Sequence, residues 1–464
     1  MRVRVSELAK CTRGSLLRGD PGTIVDSFEI DTRRLGAGAA FFALKGSKTD
    51  GHSFLGHAAR AGAAVAVIER DPQEDAAAPP VLIRVESTEA ALGRCGGWVR
   101  RRNPKTRWIA VTGSNGKTTT KELIAEGLAA GHSVHRTPGN FNNHLGVPLT
   151  LLALPDNSEF AVIELAMSGP GEIAELTRMT DPHIALLTNV RAVHMTSFQS
   201  LDDLAAAKGE MFAVLRDEAT AVVNLDDAHV RVQASRHVGP RVTFGQHPAA
   251  DLRLERIENR FLPGATLTFR HDGRSIRVRL RMGGAHAASN ALAAMATVVA
   301  AGQDVEAAAE RMEKLEAGPG RGKIHRLDAG MLLVDDSYNC SPPALASVLD
   351  TLRQSEPEGR KVLVLGDMLE LGPMKSALHR GAGRRAAAAG VQVLVAVGPL
   401  SREASEAARR AGVPEVHHHP DAASTAASIG EFLRDGDLIV VKGSRAMRME
   451  RIVQRLTGAT EEVH

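Results

Sequence analysis

Apolar positions fall into two periods along this chain. Up to about residue 84, short runs with strand character (22–30, 39–44, 63–69 and 81–85) are separated by glycine turns and by the Pro79–Pro80 pair. A helical pattern over 88–102 follows and stops at Asn103–Pro104. Arg107-Trp-Ile-Ala-Val-Thr112 is then an apolar run that ends in a glycine-rich turn and is followed by a helical pattern over 117–130. Strand patterns at 161–165, 184–189 and 221–224, with a helix over 201–215, continue an alternation that predicts βαβ units and a parallel sheet. Over 251–281 the period drops to two, which predicts an antiparallel insertion, before a helix over 286–301. Beyond the turn Gly318-Pro-Gly-Arg-Gly322, apolar runs at 331–334, 361–366, 392–398 and 438–442 alternate with alanine-rich helices. Four such units make a small doubly wound domain.

The predicted fold is therefore α/β in three domains. Residues 1–84 form a small α/β domain and 85–106 a linker. Residues 107–314 form a central parallel-sheet domain with an antiparallel insertion, and 315–464 a Rossmann-like domain. The length of 464 residues agrees, at roughly 150 residues per domain. Composition narrows the function. With 57 basic and 54 acidic residues the net charge is only +3, too little for a dedicated nucleic-acid binder. Twelve Phe, two Trp and one Tyr leave few rings on which bases could stack. Cys11, Cys95 and Cys340 are isolated and odd in number, which argues against a disulfide framework. The start, MRVRVSELAK, lacks the apolar core of a signal peptide, and the alanine-rich 287–301 stretch is too short to span a bilayer. A cytoplasmic protein without membrane insertion is expected. His417–His418–His419 reads as a polar loop rather than a metal site.

The chemistry concentrates in Thr112-Gly-Ser-Asn-Gly-Lys-Thr-Thr119, between a predicted strand and a predicted helix. This is the setting of a phosphate loop. Gly113 and Gly116 let backbone N–H groups of Ser114, Asn115 and Thr119 approach phosphate oxygens. Lys117 places an ammonium on the phosphates, and the Thr118 hydroxyl suits Mg²⁺. Val111 stands where the full eight-residue motif has glycine, so the match is to G-x-x-G-K-T. Glu164 ends a strand of the same predicted sheet, at the edge where ligands bind, and can hold Mg²⁺. His194 follows the 184–189 strand. Lys208, read alone in its helix, is a solvated face residue. The residues by themselves reach a Mg²⁺-dependent ATP user with a second α/β domain.

Further segments extend the picture. They are Asp31-Thr-Arg33, Phe41-Phe-Ala-Leu-Lys-Gly46, Asp50-Gly-His52, Gly139-Asn-Phe-Asn-Asn143 and Gly146-Val-Pro148. Asp335-Asp-Ser-Tyr-Asn339, Val364-Leu-Gly-Asp-Met-Leu-Glu-Leu-Gly372 and Val441-Lys-Gly-Ser-Arg-Ala-Met-Arg-Met-Glu450 complete the set. Together with the phosphate loop, these segments resemble the Mur ligases over nearly the whole chain, in particular the branch that joins D-alanyl-D-alanine to a UDP-N-acetylmuramoyl-tripeptide. The resemblance implies an ATP- and Mg²⁺-dependent peptide ligase of cell-wall synthesis working through an acyl phosphate, in a monomer. It implies that Lys117 binds phosphates, that Thr118, Glu164 and His194 hold metal, and that Lys208 is carbamylated into a further metal ligand. It also implies that Asn290 contacts adenine, that Arg321 and Asp336 reach the ATP phosphate and ribose, and that the first domain grips the UDP-sugar. Thr32, Arg33, Lys45, Asn142 and Asn143 are the substrate contacts it implies.

The chain departs from the family pattern at His144, Thr196, Ala287 and Cys340, and Thr196 replaces the acid usual near the second metal. Two other readings stand beside the main one. A sibling ligase would add a single amino acid such as diaminopimelate or lysine, and a phosphate-loop protein without ligase activity would only bind ATP.

Overall fold

The computed structural model describes residues 2–46, 49–72, 77–192, 197–259, 264–283 and 285–459. Three separate β-sheets with helices packed on their faces give the three-domain α/β architecture. The first sheet has five strands in the order Ser15–Arg18, Val81–Arg84, Val65–Ile68, Ala40–Phe42, Phe28–Glu29, all parallel except the first. A two-stranded pair, Val3–Arg4 with Ile24–Val25, stands beside it. The helix Thr88–Arg102 forms where the helical pattern predicts it, with the Ser87 hydroxyl accepting from Ala90 N–H at 3.2 Å. It is no loose connector. Leu92, Cys95 and Val99 are fully buried in the core shared by the first and central sheets. At Gly96 an added Cβ would lie 2.9 Å from Pro148 Cα, so this helix meets the helix Gly146–Leu152 almost backbone to backbone.

The central sheet has nine strands, in the order Arg274–Arg279, Ala265–His271, Leu252–Asn259, Arg241–Gly245, Thr220–Asn224, Ile184–Leu187, Arg107–Thr112, Phe160–Glu164, Val134–Arg136. Its inner strands are apolar throughout because helices cover both faces. Ile109, Val111, Val162 and Leu186 pack toward the helices Lys117–Leu128 and Ala285–Ala300. Trp108, Ala110, Ile163 and Leu187 pack on the opposite face. The expected antiparallel strands form over 252–279 and are continuous with this sheet. Leu252–Asn259 pairs in parallel with Arg241–Gly245, and only then do two antiparallel strands follow. The period-two pattern reports one exposed face, which any outer strand shares.

The third sheet has six strands, in the order Lys323–Arg326, Leu332–Asp336, Leu438–Lys442, Lys361–Gly366, Val393–Val397, Glu415–His419. All are parallel except the first. The His417–His418–His419 tract is therefore an edge strand and not a loop. His417 stacks on Phe432 with ring centroids 3.9 Å apart, and His418 bonds the Gly398 carbonyl oxygen at 2.8 Å. Polar side chains hid a strand whose sequence pattern is not apolar. Among the described residues no helix is long and apolar enough to cross a membrane.

Candidate active site

The strand Arg107–Thr112 lies between Phe160–Glu164 and Ile184–Leu187, so its carboxyl end opens at the middle of the central sheet. Residues 113–116 turn the chain there into the helix Lys117–Leu128. Both glycines are required. Gly113 has φ +150°, and a Cβ would sit 2.0 Å from Thr188 Oγ1; Gly116 has φ +81°, and a Cβ would sit 2.2 Å from Asn290 Oδ1. The next strand's end braces the loop. Thr188 Oγ1 donates to the Asn115 carbonyl at 2.9 Å, Asn115 N–H donates to Asn189 Oδ1 at 3.1 Å, and Ser114 Oγ donates to the Arg191 carbonyl at 3.0 Å. Thr188 and Asn189 were not singled out from sequence, where they read only as the end of a strand.

Lys117 Nζ donates to the Gly113 carbonyl at 2.9 Å. Burial lowers its pKa, the Glu164 carboxylate opposes that shift, and the Arg321 guanidinium adds to it. Three predicted site residues thus feel one another's charge. Glu164 is buried; its N–H donates to Thr137 Oγ1 at 2.9 Å, and its Oε1 accepts from Asn142 Nδ2 at 2.8 Å. Its other oxygen, Oε2, is buried without a hydrogen-bond partner, 3.9 Å from Lys121 Nζ. Lys121 is fully buried and donates to the Thr137 carbonyl at 2.6 Å. Sequence reasoning passed over it, although its place one turn after Lys117 puts it on the same helix face. Lys208, in the helix Leu201–Ala213, is buried and not solvated. Burial, reinforced by the Lys117 charge, lowers its pKa to about 7.

A cleft of about 710 Å³ between the central and third sheets gathers most of the predicted groups, although Lys208 is not among its lining residues. Ser114, Asn115, Gly116, Lys117, Thr118, Thr119, Asn142, Glu164 and Asn290 line it from one side, and Arg321 and Asp336 from the other. Asp336 ends the strand Leu332–Asp336 and is bonded by Lys442 Nζ at 2.5 Å; burial pushes its carboxyl up against that pull. The Arg321 guanidinium lies 4.0 Å from the centre of the Tyr338 ring, and Arg445 lies 5.3 Å from it. Such a cleft can hold a nucleotide triphosphate on one wall and bring cationic side chains to it from the other.

Three family models match the chain: Mur ligase family, catalytic domain, at residues 25–96; Mur ligase middle domain at 111–298; and Mur ligase, glutamate ligase domain, at 320–445. Together they span well over half of its length. The chain belongs to the Mur ligase family. Two UDP-N-acetylmuramoyl-tripeptide–D-alanyl-D-alanine ligases align over nearly its whole length. That of Escherichia coli is 35% identical over 98% of this chain and 98% of its own. That of Bacillus subtilis is 33% identical over 97% and 98%. Among solved structures, MurF from Acinetobacter baumannii superposes with a TM-score of 0.88 at 30% identity, covering 99% of both chains. MurF from Thermotoga maritima in complex with ADP gives 0.81 at 27% identity, covering 94% of this chain and 98% of that one.

Not every predicted site residue of this Mur ligase reaches the cleft. Thr32, Arg33 and Lys45 belong to the first sheet's domain and do not line it. Arg33 is exposed and paired with Asp31 at 2.5 Å, and Lys45 forms an isolated antiparallel bridge with Asp50. The neighbouring Arg34 guanidinium lies 5.3 Å from the centre of the Phe141 ring, which ties this loop to the segment carrying Asn142. Asn143, expected as a substrate contact, also holds the turn ahead of a helix. Its Oδ1 accepts from Gly146 N–H at 2.9 Å and Leu145 N–H at 3.2 Å, in the turn that leads into the helix Gly146–Leu152. His194 and Thr196 lie outside the described residues. His144 is 3.8 Å from Glu89, and Ala287 lines the cleft.

The donors present fit a hard cation. Glu164 Oε2 is a buried carboxylate oxygen without a hydrogen-bond partner, and the Thr118 hydroxyl shares its cleft. Among the described residues no group of three His, Cys, Asp or Glu forms a closed metal cage. Mg²⁺ needs none, because it binds through one or two carboxylates together with substrate phosphates and water.

Proposed function

We propose that this Mur ligase joins D-alanyl-D-alanine to UDP-N-acetylmuramoyl-tripeptide at the expense of ATP, giving the pentapeptide precursor of peptidoglycan with ADP and phosphate. Support for this substrate pair comes from the similarity to such ligases along nearly the whole chain. The observation that carries the chemistry is the convergence of Lys117, Glu164 and Arg321 on one cleft built by two domains.

A carboxylate is a poor electrophile, so the tripeptide's terminal carboxylate first takes the γ-phosphoryl group of ATP to become an acyl phosphate. The dipeptide amine then attacks the acyl carbon, and phosphate leaves from the tetrahedral intermediate. The chain's main task is to hold two anions together against their repulsion. Gly116 and Thr119 present loop and helix N-terminal N–H groups to the phosphates, Ser114 and Asn115 spend their own N–H groups on Asn189 and so hold the loop in shape, and the Lys117 ammonium moves from its own loop carbonyls onto the phosphates. Arg321 brings positive charge from the third domain, Asn290 contacts adenine, and Asp336 takes the ribose. Asn142 orients Glu164. Thr118, Glu164, His194 and a carbamylated Lys208 would hold Mg²⁺, which when bound neutralises phosphate charge and polarises the transferred group. A neutral Lys208 amine is what carbamylation needs, and its burial supplies it. Thr32, Arg33 and Lys45 grip the UDP end of the substrate. The enzyme works as a cytoplasmic monomer.

Phosphate release tests the reading. With ATP, Mg²⁺ and UDP-tripeptides ending in diaminopimelate or lysine, release should require D-alanyl-D-alanine, and one tripeptide should be preferred. Turnover with a single free amino acid would assign the chain to a sibling activity. Nucleotide binding without substrate-dependent release would remove ligation altogether.

A further inference from the structure

Two thiols that are distant in sequence meet in the core beneath the first sheet. Cys11 lies on the helix Val5–Thr12 and Cys95 on the helix Thr88–Arg102, and their sulfurs are 3.0 Å apart. The two helices are locked in this register. Arg94 donates through Nε and Nη2 to the Thr12 carbonyl at 3.1 and 2.7 Å, while Val5, Leu8, Leu92 and Val99 are buried in the same core. A disulfide bond is roughly 2.05 Å long, so the sulfurs need to close by only about 1 Å. Neither cysteine takes part in the ligation chemistry, and Cys340 sits apart on the third domain's side of the ATP cleft.

We infer that Cys11 and Cys95 form an oxidisable dithiol, a modification site at which a peroxide closes a disulfide that staples the first domain. Cys11 is half-buried and Cys95 is fully buried, so Cys11 meets the oxidant. The Cys11 sulfur, as thiolate, attacks a peroxide oxygen; the O–O bond breaks, and the departing hydroxide is protonated to water. The Cys95 sulfur then attacks the resulting sulfenic acid, the S–O bond breaks, and a second water leaves. Two thiols and one hydrogen peroxide thus give one disulfide and two waters. Contact with Cys11 and burial hold the Cys95 thiol well above the ordinary range, so the first attack falls to Cys11, and Cys95 reacts second because its sulfur already touches that of Cys11. The pair is separated by 84 residues, and the loop it closes contains every strand from Ser15–Arg18 to Val81–Arg84. The bond therefore restrains the unfolded form of that whole domain. It also fixes the helix whose Gly96 touches the central domain at Pro148.

The test is thiol titration of the intact chain before and after mild hydrogen peroxide, followed by peptide mapping. Accessible plus denaturant-exposed thiols should fall from three to one, with a single cross-link between the peptides carrying Cys11 and Cys95, reversed by a thiol reductant. Cys340→Ser should leave the cross-link in full, whereas Cys11→Ser and Cys95→Ser should each abolish it. The oxidised wild-type chain should unfold at a higher temperature than the reduced one. Three thiols surviving peroxide, a cross-link that includes Cys340, or over-oxidised Cys11 without any cross-link would each overturn the inference. Because no readout involves ATP or the dipeptide, its failure would leave the proposed ligase activity untouched.

Discussion

Lys117 opens a helix, bonds its own loop and lies within electrostatic reach of Glu164 and Arg321, a combination no surface lysine has. Lys117→Ala should reduce phosphate release by at least on the order of 10³-fold and leave the thermal unfolding midpoint close to that of the parent; retained turnover would remove the phosphate-loop role. Such a residue is legible in sequence, because Gly113 and Gly116 are needed for backbone angles that side chains resist, and that need leaves a spaced pattern. Lys208 is the opposite case. Its helix is alanine-rich, so periodicity does not reveal which side faces the core, and only packing shows the amine buried near Lys117. Lys208→Ala should be inactive and regain part of its turnover when short carboxylic acids are added, since these can supply the missing carboxylate-like group. An assay showing no rescue at any concentration would count against carbamylation. Asn143 teaches a related lesson: an Asn side chain serves equally well as a ligand contact and as the brace of a turn, and the residue type alone does not choose.

Among elements, the helix Thr88–Arg102 was legible almost to the residue, because Ser87 caps one end and Asn103–Pro104 stops the other. Its role was not legible. As the heart of a supposed linker over 85–106 it reads as a connector, yet its buried face belongs to a core shared by two sheets. Gly96 is the point of closest approach, and an added methyl there must displace Pro148 backbone atoms. Gly96→Ala should therefore destabilise the chain by about 1–3 kcal/mol, seen as a lower thermal midpoint, whereas the same change at the half-buried Gly381, where a Cβ meets nothing, should not lower it. The strands show the converse failure. Arg107–Thr112 and Lys361–Gly366 announce themselves as apolar runs because both their faces are covered, whereas Glu415–His419 carries polar residues at a sheet edge and passes for a loop. The strand Lys323–Arg326, also at an edge, was missed for the same reason.

For the whole molecule, the decisive feature is that the candidate active-site cleft has walls from two domains. Lys117 and Glu164 stand on one wall, Arg321 and Asp336 on the other. The third domain should close onto the central one when nucleotide and tripeptide bind, and small-angle scattering should then record a smaller radius of gyration; identical curves with and without ligands would argue against closure. By itself the sequence determined the α/β class, the three-domain plan, the glycine-dependent turn into the helix at Lys117 and the family. Each of these rests on local needs: covered strands must be apolar, tight turns need glycine, and a phosphate needs N–H groups and an ammonium at a helix start. Tertiary structure alone decided that Lys121 and Lys208 are buried, that one Glu164 oxygen has no hydrogen-bond partner, and that Cys11 and Cys95 touch across 84 residues. Those facts depend on which faces of distant elements meet, and packing fixes that through contacts no local pattern of residues encodes.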